Sequence, residues 1–181
     1  MKSILLVALL PLLLLLSGCG AKPVAAPTSF EPFVASDKSF AGSGPVGWDK
    51  QEFGGGDTYA KVAWTRGDAK IEVKSDTANS LMGDINKVSG KKPVDTAHER
   101  VLAGMQSDIS GFTPLPTQSV TTTFGEGRLS EWTANGTHGL RGTAMALDRS
   151  IGLNCQCSES DWETLKPAFM KVWSDLKPAT P

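Results

Sequence analysis

The stretch from Ser119 to Cys157 constrains the fold most. It divides into four alternating segments, Ser119–Phe124, Arg128–Ala134, His138–Leu147 and Ser150–Cys157. They are joined only by Gly125-Glu126-Gly127, Asn135-Gly136 and Asp148-Arg149. Connections this short suit hairpins, because a parallel pair needs a long crossover. Asn-Gly is the preferred pair where a two-residue turn needs positive φ at both positions. Asn135-Gly136-Thr137 also spells a glycosylation acceptor, but the turn already accounts for those residues. The spacing thus predicts an antiparallel sheet.

More strands precede it. One covers Trp48 to Phe53 and ends at Gly54-Gly55-Gly56. In the next two, Ala60, Val62 and Trp64 alternate with Lys61 and Thr65, and Ala69, Ile71 and Val73 alternate with Lys70, Glu72 and Lys74. Arg66-Gly67-Asp68 reads as the polar turn between them rather than an adhesion motif. Ala78, Leu81, Met82 and Ile85 suggest a short helical segment, and Gly90 to Pro93 a loop. Thr96 and Glu99 have capping-box spacing ahead of a helix with the stripe Ala97, Val101, Leu102, Met105 and Ile109, ended by Gly111, Pro114 and Pro116. Ser160 and Glu163 repeat that spacing before a last helix whose Trp162, Leu165, Phe169, Val172, Trp173 and Leu176 share one face. Pro167 should kink this helix and Pro178 end it. The expected class is α+β: an antiparallel β-sheet flanked by helices, with a C-terminal amphipathic helix.

The other end of the chain speaks to location. Lys2 precedes an apolar run of 13 residues, Ile4 to Leu16, which is too short to span a bilayer and carries Pro11 in its middle. Leu16-Ser17-Gly18-Cys19 follows, and this motif resembles the lipobox of bacterial lipoproteins. The resemblance covers residues 1–20. It implies that residues 1–18 are a signal peptide, that Cys19 takes a diacylglycerol on its sulfur, and that its new amine is open to acylation by chains of the palmitate kind. Two or three such chains anchor a protein stably where one does not. The alternative is an ordinary secretory signal cut nearby, with Cys19 unmodified. Gly20 is not the Asp that often marks inner-membrane retention, which leans towards the outer membrane, facing the periplasm, if the cell is Gram-negative. Residues 19–45, rich in Ala, Pro, Ser and Gly, read as a flexible tether, and residues 46–178 as a single domain. Phe30, Phe33 and Phe40 are unusual in a tether and are expected to dock back on the domain, the alternative being contact with a partner.

Loss of residues 1–18 leaves a chain sized for one domain with a real core. The full sequence has 18 basic and 19 acidic side chains, so there is no basic surplus to drive binding to nucleic acid or anionic lipid.

The end of the chain, a final strand and a polar Ser/Glu turn followed by Trp162, Pro167, Phe169 and a last apolar residue, resembles the PsbP-like fold, named for an extrinsic protein of photosystem II. The likeness covers residues 46–177 by element order and 150–176 by recognisable residues. It implies a central antiparallel sheet flanked by helices. It also implies a role in assembling or stabilising larger complexes rather than in catalysis. No functional residue carries over from it.

Residue chemistry offers three candidates. In Ile151 to Cys157, alternation puts Ile151, Leu153, Cys155 and Cys157 on one face, so both thiols should point at the core. They are read as two small buried hydrophobes, as a strained Cys-x-Cys disulfide, or as part of a metal site short of ligands. His98 and His138 are read as surface histidines, with a role as catalytic base in a hydrolase as the alternative. Gly54-Gly55-Gly56-Asp57 lacks the following helix and lysine of a phosphate cradle. Trp64 and Trp162 have core-facing phases, while Trp48, Trp132 and Trp173 are left open, any exposed indole being a potential anchor for a partner. The expectation is therefore a non-enzymatic lipoprotein without cofactor or metal. It would be held on the membrane through Cys19 and bind or position another component of the bacterial cell envelope. A thiol-redox or metal-handling protein using Cys155 and Cys157 is the alternative, and a hydrolase the third.

Overall fold

A computed structural model of the chain describes residues 22–54, 59–77, 90–146 and 149–179. In chain order the elements are β1 (Phe30–Val34), β2 (Ala41–Pro45), β3 (Asp49–Gly54), β4 (Tyr59–Arg66), β5 (Ala69–Thr77), α1 (Pro93–Asp108), β6 (Thr113–Pro114), β7 (Gln118–Thr122), β8 (Gly125–Ala134), β9 (Thr137–Ala146), β10 (Arg149–Ser158) and, after a 3₁₀ turn over Glu159–Asp161, α2 (Trp162–Asp175). Cys19, Gly55 to Asp57 and the helical segment expected at Ala78 to Ile85 lie outside the described residues.

The four strands expected between Ser119 and Cys157 are present as β7 to β10, with ends moved by a few residues. At the β8–β9 turn Asn135 has φ 45° and Gly136 φ 80°, the positive pair that a two-residue hairpin loop requires. β3, β4 and β5 form a second meander. It joins the first where β5 pairs antiparallel with β10, Ile71 standing opposite Cys155. The sheet order is β3-β4-β5-β10-β9-β8, with β6 and β7 sharing the outer edge of β8.

Alternation gives the sheet two unlike faces. On one, Val62, Trp64, Ile71, Val73, Leu129, Leu140, Ile151 and Leu153 form the core with Trp162, Leu165, Phe169, Val172 and Trp173 of α2. Gly142 belongs to this face, and a Cβ there would fall 2.7 Å from the Trp173 ring, so glycine lets α2 lie close. On the other face, Thr143 and Ser130 meet His98 of α1. One helix thus lies against each face, and α1 contacts β8 and β9. A small second cluster, Phe112, Trp132 and Ala134, packs with Leu102, Met105 and Ile109 beneath the end of α1. All five tryptophans are buried, so none is the exposed anchor left open by the sequence.

Both capping-box expectations are corrected. α1 starts earlier, with Lys92 at the cap and Pro93 in the first turn, because proline's fixed φ and missing N–H suit that position. Glu99 instead pairs with Lys91 at 2.6 Å. Ser160 is taken into the 3₁₀ turn, and α2 begins at Trp162 without a side-chain cap. That helix runs on past Pro167, whose lack of an N–H leaves the carbonyl of exposed Glu163 without its helical donor.

The tether is also corrected. Residues 30–45 are not flexible: β1 and β2 form a hairpin, Phe33 to Gly42 and Val34 to Ala41 in register. Phe33 and Phe40 are buried in the main core and Phe30 is partly buried against it, so the phenylalanines do dock on the domain. Phe33 meets the Trp64 ring edge-on, centroids 4.9 Å apart. Beyond the hairpin, Val24 is buried and its N–H donates to Asp161 at 3.0 Å. Asp37 in the β1–β2 loop accepts from Ser39, from Ser75 at 2.8 Å and from Arg149 at 3.0 Å. Burial alone would raise its carboxyl, but these donors outweigh burial and hold it below the usual carboxylate value. The physical reason is that four aromatic and aliphatic side chains in an otherwise small-residue segment bury enough surface to order it.

Candidate functional site

Cys155 and Cys157 lie in the middle of the sheet, 0% and 1% exposed, on the face shared with Ile151 and Leu153. Both are free. Two residues along an extended strand span roughly 6.8 Å, at the limit a disulfide tolerates. Burial pushes both thiols up, Cys155 well above the ordinary value and Cys157 to about 12, with Asp161 adding to the latter. Neutral, sealed thiols are poor nucleophiles. Neither is expected to react with iodoacetamide in the folded protein, and both should label once it is denatured in urea; a mass increase before unfolding on the peptide carrying Cys155 and Cys157 would refute this. Among the described residues no group of three or more His, Cys, Asp and Glu is placed to hold a metal ion.

The histidines are not on the surface, which corrects that expectation. His138 is 8% exposed and stacks flat on Trp162, centroids 3.9 Å apart. Its Nδ1 lies 3.2 Å from Glu159 and its Nε2 3.3 Å from Glu131. His98, 1% exposed, sits between Thr143 Oγ1 at 3.0 Å and Ser130 Oγ at 2.9 Å, and Ser130 in turn meets Thr117 Oγ1 at 2.8 Å. Burial first, then the charges of Arg141 and Arg128, lower its pKa to about 4. The serine–histidine distance suits general-base chemistry, but Ser130 is itself 1% exposed and does not line the neighbouring cavity, which His98 borders with Thr117 and Ser119. The signal was there to read: Val94, His98, Val101 and Met105 recur at helical spacing, which puts His98 on the packed side of α1.

Sequence reasoning passed over Arg141. It stands on β9 in the polar phase with Gly139 and Thr143, yet is only 5% exposed. Its guanidinium lies against Gly152 of β10, where a Cβ would fall 2.6 Å from Nη2. Its Nε has no hydrogen-bond partner. Burial lowers its pKa to about 10, partly offset by the fields of Glu72 and Asp76, so it stays charged at neutral pH. The side chain lines a cavity of about 230 Å³ between α1 and β5, β10 and β9. Ala97, Val101 and Met145 give it an apolar wall; Thr143 and Ser150 bring hydroxyls; Lys74, Asp76 and Arg100 bring charge. This is the strongest candidate for a ligand site among the described residues, because it joins space, apolar surface and a fixed charge.

No protein-family model matches the sequence, and no curated protein matches it. Solved structures do. Cyanobacterial PsbP (CyanoP) from Synechocystis sp. PCC 6803 superposes at TM-score 0.60 with 14% identity, over 89% of this chain and 97% of that one. A Pseudomonas aeruginosa protein of unknown function, PA94, follows at TM-score 0.50 and 11% identity, over 84% and 99%. LpqN, involved in cell envelope biogenesis of Mycobacterium tuberculosis, overlaps at TM-score 0.46 and 13% identity, over 86% and 88%, too loosely to carry an argument. Identities this low speak to architecture alone. With its antiparallel sheet, its helix on either face and this superposition, the domain has a PsbP-like fold.

Proposed function

We propose that the chain is a lipid-anchored, non-catalytic binding or assembly module of the bacterial cell envelope, held through Cys19 close against the membrane. The observation that carries the second half is the burial of Val24, tied to Asp161. Only residues 20–23 separate Cys19 from this first fixed point. Fully extended, that stretch reaches at most about 17 Å. The Val24 side chain also lies beside the β4–β5 turn at Gly67. This end of the sheet therefore faces the bilayer, and the opposite end, with Asp76, Met145 and Ser150, points away from it. The lipobox resemblance supports the anchor, and the PsbP-like fold supports an assembly role by analogy only. No helix among the described residues is long and apolar enough to cross a membrane. The buried thiols and the burial of Ser130 beside His98 weigh against the redox reading and a Ser130–His98 hydrolase.

The test is a Cys19→Ala substitution in cells. The native chain is expected in the membrane fraction with a diacylglycerol mass on its N-terminal peptide, and the variant in the soluble exported fraction. Mild cross-linking should join the native chain, and not the variant, to a stoichiometric envelope component. Unmodified Cys19 would overturn the anchor; absence of a specific partner would overturn the assembly role.

A further inference from the structure

We infer that the groove between α1 and the sheet binds a small organic monocarboxylate, with Arg141 taking the carboxylate and Ala97, Val101 and Met145 packing on its apolar body. The reasoning starts from charge. The Arg141 Nε has no hydrogen-bond partner, and Glu72 and Asp76 act on the guanidinium only through their fields, being directly paired with Lys61, Lys70 and Lys74 instead. A buried cation without a direct partner costs several kcal/mol in desolvation, far more than the leucine or methionine that would fill the same place. A guanidinium held this way is preorganised for a ligand that brings the missing charge. Its planar fork of N–H donors matches a carboxylate in two parallel bonds.

The room for it is built into the sheet. Any side chain at Gly152 would displace the guanidinium, so glycine there lets Arg141 lie close against β10 while it lines the groove. The ligand's charge follows from the neighbours. Lys74 is taken up by Asp76 at 2.9 Å, and Arg100 has interactions of its own. Among the described residues that leaves Arg141 as the groove's charge without a direct ion pair, which a singly charged carboxylate matches and a phosphate dianion exceeds. The apolar wall favours an anion with a carbon body over a free inorganic ion. The cavity of about 230 Å³ is too small for a whole phospholipid and lies below the roughly 300–1,000 Å³ of drug-sized sites. The groove needs no anchor to function, so this inference and the membrane reading fail separately.

The experiment is calorimetric titration of the full chain, purified in non-ionic detergent, with acetate, butanoate, hexanoate, neutral butanol and inorganic phosphate. Affinity is expected to rise from acetate to hexanoate and to be lost with butanol. Arg141→Met should weaken hexanoate at least tenfold. Ala97→Phe, which fills the groove from the half-buried side of α1 and leaves Arg141 in place, should do the same, and keeps the test valid if the first variant fails to fold. Absence of carboxylate binding, equal binding by either folded variant, or tighter binding of inorganic phosphate than of hexanoate would each overturn the inference.

Discussion

Trp64→Ala is expected to cost about 3–5 kcal/mol and to lower the thermal midpoint by roughly 10 °C. Trp64 is 1% exposed and holds two parts of the chain together. Its indole sits in the main core of the sheet with Ile71 and Val73. It also reaches the N-terminal hairpin, where Phe33 meets it edge-on and a Cβ at Gly44 would overlap its ring. Truncation leaves a cavity that Gly44, having no side chain, cannot fill. The loss should therefore appear in two readouts. Urea unfolding should shift to lower denaturant, and residues 22–45 should become sensitive to protease below the global transition. Gln51→Ala, exposed on the edge strand opposite Ala63, is the control and should change stability by less than about 0.5 kcal/mol. A Trp64→Ala loss below about 1 kcal/mol, with the hairpin still protected, would show that β1 and β2 are not held by this contact.

Acid should destabilise the protein in a window set by His98. In the unfolded chain its imidazole takes up a proton near its ordinary value of 6.5; in the folded protein it does so only at about 4. Between those values unfolding binds a proton, so stability is fully present above pH 6.5, falls as pH drops towards 4, and is not lost further to this group below that. The total is roughly 3 kcal/mol. Burial is the main cause. The groups facing His98 are Arg141 and Arg128, which oppose its charge, and Asp95 and Glu99, which favour it. Carboxylates held low by their partners, Asp37, Glu72 and Asp175, keep their contributions until the pH falls towards their unfolded values near 4, so they act below the histidine window. His98→Gln keeps a polar group between Ser130 and Thr143 but cannot titrate. Urea midpoints measured from pH 7.5 to 4 should slope for the native chain and be nearly flat for the variant. Equal slopes in both would remove His98 as the cause.

Much of the sheet was legible because strand alternation and turn chemistry are local. Asn135-Gly136 needs only its own φ values to fix a hairpin, and the alternation of β5 and β10 already put Ile71, Cys155 and Cys157 on a buried face. The C-terminal helix was legible for the same reason, its apolar face being a matter of spacing. Helix starts were less so, since a capping-box spacing recurs by chance and Pro93 decided the start of α1 instead. The N-terminal hairpin was hidden by composition. Small residues and prolines read as linker, and only Trp64, β10 and α2, far along the chain, supply the surface that buries Phe33, Phe40 and Val24.

What the sequence determined by itself is the class of fold and the phase of β3 to β5 and β7 to β10, because both follow from periods of two and of 3.6 residues along one segment. What only the tertiary structure decided is which polar residues lose their water. His138 and Arg141 look alike in sequence to any solvated side chain, and helical spacing places His98 on one side of α1 without saying what covers it. Their burial depends on β5 choosing β10 as its neighbour and α1 lying across β8 and β9. Those long-range pairings fix which charge is buried beside a cavity, and therefore where the candidate site lies.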